Sequence, residues 1–255
     1  MIHEFSHKRI IVMVVEATSG KPKGRNRLLT GGTPYRHAHT MQNVIELGHP
    51  LVQHHLVRLR DARATPESFR VNVQRLSMLL TYEACQDLEL APVEVATPLA
   101  LAQGQQLTQR VALVPILRAG LGMVDPVLQL IPEAQVWHLG FYRDEETHQP
   151  VEYYKKLPLS EPVDVAMVLD PMLATGGSAV AALEAVYEWG AARVNLLSMI
   201  AAPEGIRRVH ARFPETRIYV CAVDEGLNDQ AFILPGLGDA GDRIFNAQPD
   251  LGGSP

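Results

Sequence analysis

Asp170 closes a run of five apolar residues, Val165 to Leu169, and is followed by Pro171-Met172-Leu173 and then Ala174-Thr175-Gly176-Gly177-Ser178. Small residues let backbone amides approach an anion, two hydroxyls stand among them, and from Ala179 onward Val180, Leu183, Val186 and Tyr187 recur at helical spacing. Strand, small-residue loop and helix in that order put the positive end of a helix dipole at the loop, which makes a phosphate cradle. The Gly-Lys-Ser/Thr of a nucleotide P-loop and the spaced glycines of a dinucleotide fingerprint are both missing. Taken alone, Thr-Gly-Gly-Ser is equally a plain strand-to-helix turn. Asp170 separates the two readings, because a carboxylate at the carboxyl end of a buried parallel strand faces the ligand crevice and can accept hydrogen bonds from sugar hydroxyls. The pattern asks for a phosphorylated ribose.

Two more stretches carry groups suited to such a ligand. Val111 to Leu117 reads as a buried strand that empties into Arg118-Ala119-Gly120, before Leu121, Val124, Leu128 and Ile131 resume at helical spacing. Arg118 offers a planar cation that grips phosphate oxygens in a fork, and Ala119 and Gly120 let amides come near. An arginine after a strand is otherwise a solvated loop charge; the cradle downstream favours the pyrophosphate reading. The second stretch, Phe232 to Arg243, has glycines at 236, 238 and 241. Such a loop is no core element, and it brings main-chain donors and acceptors close to a small planar ligand.

The run Leu169 to Ser178 resembles the phosphoribosyl diphosphate (PRPP) loop of the type I phosphoribosyltransferases. Many of these have two adjacent acids, whereas the second position here is Pro171, as in the uracil phosphoribosyltransferase branch. Val114 to Met123, Tyr142 to Thr147 and Pro235 to Arg243 resemble the same branch, and the similarity extends from about Met41 to Phe245. The resemblance implies an α/β fold with a mostly parallel central sheet flanked by helices, a projecting β-hairpin arm over the active site and a C-terminal hood for the base. It implies transfer of the phosphoribosyl group of PRPP to uracil. Asp170, Arg118, Arg143 and Asp239 would do the chemistry and would hold PRPP together with the loop from Pro171 through Met172, Leu173, Ala174, Thr175, Gly176 and Gly177 to Ser178, and Ile233, Gly238, Asp239 and Ala240 would meet uracil. It further implies Mg2+ carried on PRPP without a dedicated protein cage, homo-oligomers and, in some members, activation by GTP. A pyrimidine-responsive RNA-binding regulator on the same fold, or transfer to another base, are the alternatives.

The positioning elements are legible around these stretches. From Pro50, the residues Leu51, Val52, His55, Leu56 and Leu59 share one face of a helix, with His54-His55 as one exposed and one packed histidine. Thr65-Pro66 announces a second helix whose stripe is Phe69, Val73, Leu76, Leu80 and Ala84, ended by Leu90-Ala91-Pro92. Val93-Glu94-Val95 and Leu99-Ala100-Leu101 alternate as a short extended pair. Val136 to Tyr142 and Val151 to Tyr154 read as a hairpin across the acidic run Asp144-Glu145-Glu146, which either orients Arg143, faces solvent or helps to hold metal. Beyond the cradle, Gly190 caps its helix; a strand over Val194–Ala201, a helix over Glu204–Arg212 with Arg207 and Arg208 outward, and a strand over Ile218–Val223 follow. Strands alternating with helices predict a parallel sheet.

Composition bounds the rest. A chain of 255 residues, 47% hydrophobic, can bury one core. Cys85 and Cys221 stand alone in apolar surroundings, which predicts core thiols and a reducing, cytoplasmic setting; the run Ile10 to Val15 is too short for a membrane span. Net charge is −5, but residues 1–40 hold seven Lys/Arg against two Asp/Glu, hence +5, which leaves −10 for the body. An acidic body opposes the RNA-binding alternative, since RNA affinity rests on neutralised phosphates. Residues 1–40 are rich in turn formers and lack apolar periodicity. They read as a basic extension outside the native domain, with His37 and His39 too few to hold a metal. Residues 41–246 read as the catalytic domain and 247–255 as a disordered tail.

Overall fold

The computed structural model describes residues 43–143, 150–158 and 161–247. Residues 1–40, the Asp144-Glu145-Glu146 run and residues 248–255 lie outside them. After β1 (Val44–Glu46) come two helices with readable starts. In α1 (Pro50–Arg60) the Leu51 amide donates to His49 Nδ1, and in α2 (Pro66–Ala84) the Ser68 amide donates to Thr65 Oγ1. The α2 stripe from Phe69 to Ala84 is buried as its spacing predicts. In α1 the buried face is Val52, Leu56 and Leu59; Leu51 is half exposed, because i, i+4, i+7 leaves it on the flank. His55 is half-buried against Asn72, and His54 is exposed.

A hairpin of β2 (Leu90–Ala96) and β3 (Leu101–Leu107) follows, so Leu90-Ala91-Pro92 opens a strand and does not end the helix, which stops at Ala84. Then β4 (Val111–Leu117) runs into a 3-10 turn (Ala119–Met123) and α3 (Val124–Leu130). The predicted strand from Val136 to Tyr142 divides into β5 (Gln135–Val136) and β6 (Leu139–Arg143), and β6 pairs antiparallel with β7 (Pro150–Lys155). β8 (Val165–Leu169), β9 (Met172–Leu173), α4 (Gly177–Trp189), β10 (Arg193–Ala201), α5 (Pro203–Arg212) and β11 (Arg217–Val223) complete the alternation. A two-stranded ribbon, β12 (Gly226–Leu227) with β13 (Ile233–Leu234), leads to α6 (Ala240–Phe245).

The central sheet has the order β1-β11-β10-β8-β4-β6-β7 and is parallel up to the β6–β7 pair. Helices cover both faces, so the central strands are mostly apolar; β8 is buried at every residue, and β10 buries Asn195 and Ser198 among its apolar residues. Val111 and Leu113 of β4 pack with α1, α2, α3 and α6, while Ala112 and Val114 face α4 and α5. Cys221 is fully buried and Cys85 half-buried, both as free thiols, and burial pushes the Cys85 thiol up to about 11. Among the described residues no helix is long and apolar enough to cross a membrane.

Candidate active site

β4 and β8 are neighbours in the sheet, yet the helices that follow them leave to opposite faces: α3 packs with α2, and α4 packs with α5. A crevice opens at the carboxyl ends of two strands that part in this way. Arg118 follows β4, and Asp170 follows β8. The turn after β4 is pressed against the end of β8, since a Cβ on Gly120 would stand 2.4 Å from the Leu169 carbonyl oxygen. Gly120 is thus needed for the close approach of two chain segments.

Beyond Asp170 the chain pairs briefly with β10 through β9 and then turns into α4. Gly176 takes the left-handed conformation, φ +78°, at the helix N-cap, and no side chain caps α4. The first turn of α4 therefore has no cap from its N-cap residue, and Gly177, Ser178 and Ala179 line the crevice beside Thr175. The loop lies on the start of α5: a Cβ on Gly205 would stand 2.5 Å from the Ala174 carbonyl oxygen and 2.9 Å from the Leu173 side chain.

Across the crevice stands the segment from Gln230 to Asp239, and between it and the loop from Met172 to Ala179 lies a cavity of about 350 Å³ with Asp170 in its wall. Asp239 caps α6 by accepting from the Asp242 amide at 2.8 Å, and its side chain also borders the cavity. Asp242 in turn takes Arg118, whose Nη2 donates to Asp242 Oδ1 at 2.5 Å, so the turn after β4 and the Gly-rich segment are joined by an ion pair. Asp170 is pushed up to about 7: burial is the largest cause, the Met172 amide at 3.4 Å opposes it, and the nearby Asp239 charge adds to it. Two carboxylates bordering one cavity favour a ligand that brings hydroxyls or a cation to them.

The structure gathers Asp170, Met172 to Ser178, Ile233, Gly238 and Asp239 around one cavity. Pro171 is buried behind the loop. Arg118 stands over the Gly-rich segment outside the cavity lining, and Ala240 is buried as the first residue of α6. Arg143 ends β6, and its side chain lies outside what is described. Three residues that sequence reasoning missed hold the Gly-rich segment in place: Arg60 and Asp224 around Gly236, and Arg243, which donates to the carbonyls of Leu59, Asp61 and Leu237 while lying over Phe69. A run of charges at element ends was the available signal. Among the described residues no group of three or more His, Cys, Asp or Glu is placed to hold a metal ion.

Known proteins are similar to this chain. Residues 46–247 match the family model described as uracil phosphoribosyltransferase. The chain is 57% identical over 205 residues to the uracil phosphoribosyltransferase of Roseiflexus castenholzii, covering 80% of this chain and 99% of that one. It is 49% identical over 209 residues to the enzyme of the same name from Alkaliphilus oremlandii, covering 82% and 100%. Among solved structures, the AQ2163 protein from Aquifex aeolicus superposes with a TM-score of 0.76 at 39% identity, over 80% of this chain and 99% of that one. The acid at the end of β8, the uncapped helix beyond it and the Gly-rich segment opposite are therefore features of a chain that belongs to the uracil phosphoribosyltransferase family.

Proposed function

We propose that this protein transfers the 5-phosphoribosyl group of PRPP to uracil, giving UMP and pyrophosphate. The observation that carries this reading is the cavity walled by an uncapped helix start on one side and a Gly-rich segment on the other, with Asp170 between them, in a chain of this family. The bond from the anomeric carbon to pyrophosphate breaks, uracil N1 bonds to that carbon and gives up its proton, and the ribosyl ring develops oxocarbenium character between the two events. Positioning and charge stabilisation suffice for such a step.

In this reading the Asp170 carboxylate accepts from the ribose hydroxyls, and the amides from Ala174 to Ser178 with the Thr175 and Ser178 hydroxyls take the 5-phosphate. Arg118 leaves Asp242 to grip the pyrophosphate, joined by Arg143. Peptide groups near Ile233, Gly238 and Ala240 read the carbonyls and ring N–H of uracil. Asp170 and Asp239 offer hard oxygens of the kind magnesium takes beside phosphate oxygens and water. When bound on PRPP, the ion screens the negative charge of the departing pyrophosphate. Homo-oligomers and GTP activation complete the proposal; the β2–β3 hairpin, which leaves Leu90, Val95 and Leu101 exposed, supports the former.

The test offers labelled uracil, cytosine, orotate, adenine and hypoxanthine, each with PRPP and Mg2+, and measures nucleotide product. UMP from uracil is expected; product from another base in its place would overturn the substrate assignment. Light scattering and an assay with added GTP check the remaining two points.

A further inference from the structure

We propose that Arg60 and Asp224 are positioning residues for the base, acting through Gly236; this rests on the reading that the Gly-rich segment binds uracil. Arg60 ends α1 and Asp224 follows β11, so two elements far apart in the chain meet at the turn. Arg60 Nη2 donates to Asp224 Oδ1 at 2.5 Å and Nη1 to Oδ2 at 2.8 Å. The same pair grips both peptide groups of Gly236: its carbonyl accepts from Arg60 Nη1 at 2.8 Å, and its amide donates to Asp224 Oδ2 at 3.0 Å. Gly236 is buried at φ +67°, and a Cβ there would lie 2.1 Å from the Ile233 carbonyl oxygen. No other residue fits the turn that the pair holds.

A purely stabilising role explains less. The Asp224 side chain is only 3% exposed, and apolar residues of similar volume commonly stabilise a domain as well as a buried ion pair does. What apolar residues cannot supply is a donor and an acceptor, held rigidly, for the two sides of one tight turn. Ile233 stands three residues before Gly236 and Gly238 two residues after it, so the positions assigned to uracil flank the clamp. A base read by peptide groups tolerates little displacement of them. The hydrogen-bonding groups of uracil are thus met at a distance by a side-chain pair that does not touch it.

The experiment uses full-length Arg60→Lys, Asp224→Asn and Gly238→Ala. Lysine keeps the charge but loses the fork, and asparagine turns an amide donor toward either Arg60 or the Gly236 amide. Calorimetric titration with PRPP and Mg2+ should give both clamp variants a Kd within threefold of wild type, while the KM for uracil rises at least tenfold. A uracil KM within twofold of wild type in a variant that binds PRPP would overturn the proposal. So would loss of PRPP binding in both clamp variants, since the pair would then hold the domain and not the base. Should Asp224→Asn alone fail to bind PRPP, Arg60→Lys decides by the same criterion. Gly238→Ala isolates the underlying reading: a raised uracil KM there beside unmoved clamp variants rejects only the clamp, and an unmoved Gly238→Ala rejects the base-binding segment and this proposal with it.

Discussion

Burial and the neighbouring Asp239 charge hold Asp170 at about 7, so near neutrality the protein without ligand is a mixture of acid and anion at this position. The folded value lies above the ordinary 3.8, which means that the folded chain binds this proton more tightly than the unfolded chain. Stability from the neutral acid is complete below about pH 4 and is lost as pH rises through about 7. Asp170→Asn should therefore melt at a higher temperature than wild type at pH 8, with the gap closing toward pH 5, as read by calorimetry at both values. Function runs the other way. The anion is the better acceptor for ribose hydroxyls, so kcat/KM for PRPP should rise with pH through about 7, and Asp170→Asn should lose about tenfold or more at pH 8, given the roughly 1.5–3 kcal/mol of a charge-assisted hydrogen bond. Asp239→Asn, which still caps a helix, should move the rise to lower pH. Asp170 was legible because a charged residue ending an apolar strand is conspicuous in a sequence. Arg60, Asp224 and Arg243 were not: their partners lie 164, 12 and up to 184 residues away, and no local pattern pairs them.

The elements follow local rules more openly than the site does. β4 and β8 are apolar runs because both sheet faces are covered, and Thr65-Pro66 and Gly190 mark helix ends by cap chemistry. The misreadings came where tertiary pairing decides. Pro92 sits in β2 opposite Gln105, in a hairpin outside the central sheet, and the strand after α3 breaks between its pairings with β4 at Leu113 and at Ile116. Thr65→Ala removes one cap bond outside the cavity lining and should lower stability by about 1 kcal/mol with kinetic constants unchanged, measured by denaturant unfolding and steady-state rates. Gly205→Ala tests the packing of α5 against the phosphate loop. Its Cβ needs space now taken by the Ala174 carbonyl, and overpacking costs about 1–3 kcal/mol. The KM for PRPP should rise about tenfold while the KM for uracil moves less; equal shifts in both would show that the loop is not what Gly205 supports.

Across the whole molecule, function follows from a sheet whose helices part to opposite faces at β4 and β8, and from a C-terminal segment folded back over that edge. The family match begins at residue 46, and relatives are spanned almost end to end by four-fifths of this chain. A protein beginning at Met41 should accordingly keep kcat and both KM values within twofold of the full chain; a larger loss, in assays of the two proteins side by side, would give residues 1–40 a part in the activity. The grip of Arg60 and Arg243 has another consequence, which concerns synthesis. Both tie α6 and its approach to the end of α1, so α1 waits for Arg243 before the carbonyls of Leu59 and Asp61 find that partner. A ribosome adding about 5–20 residues per second makes α1 many seconds before Arg243 emerges. A chain cut short before Arg243 leaves the carbonyls of Leu59, Asp61 and Leu237 without this donor, so such a truncation is expected to loosen the end of α1 together with the Gly-rich segment.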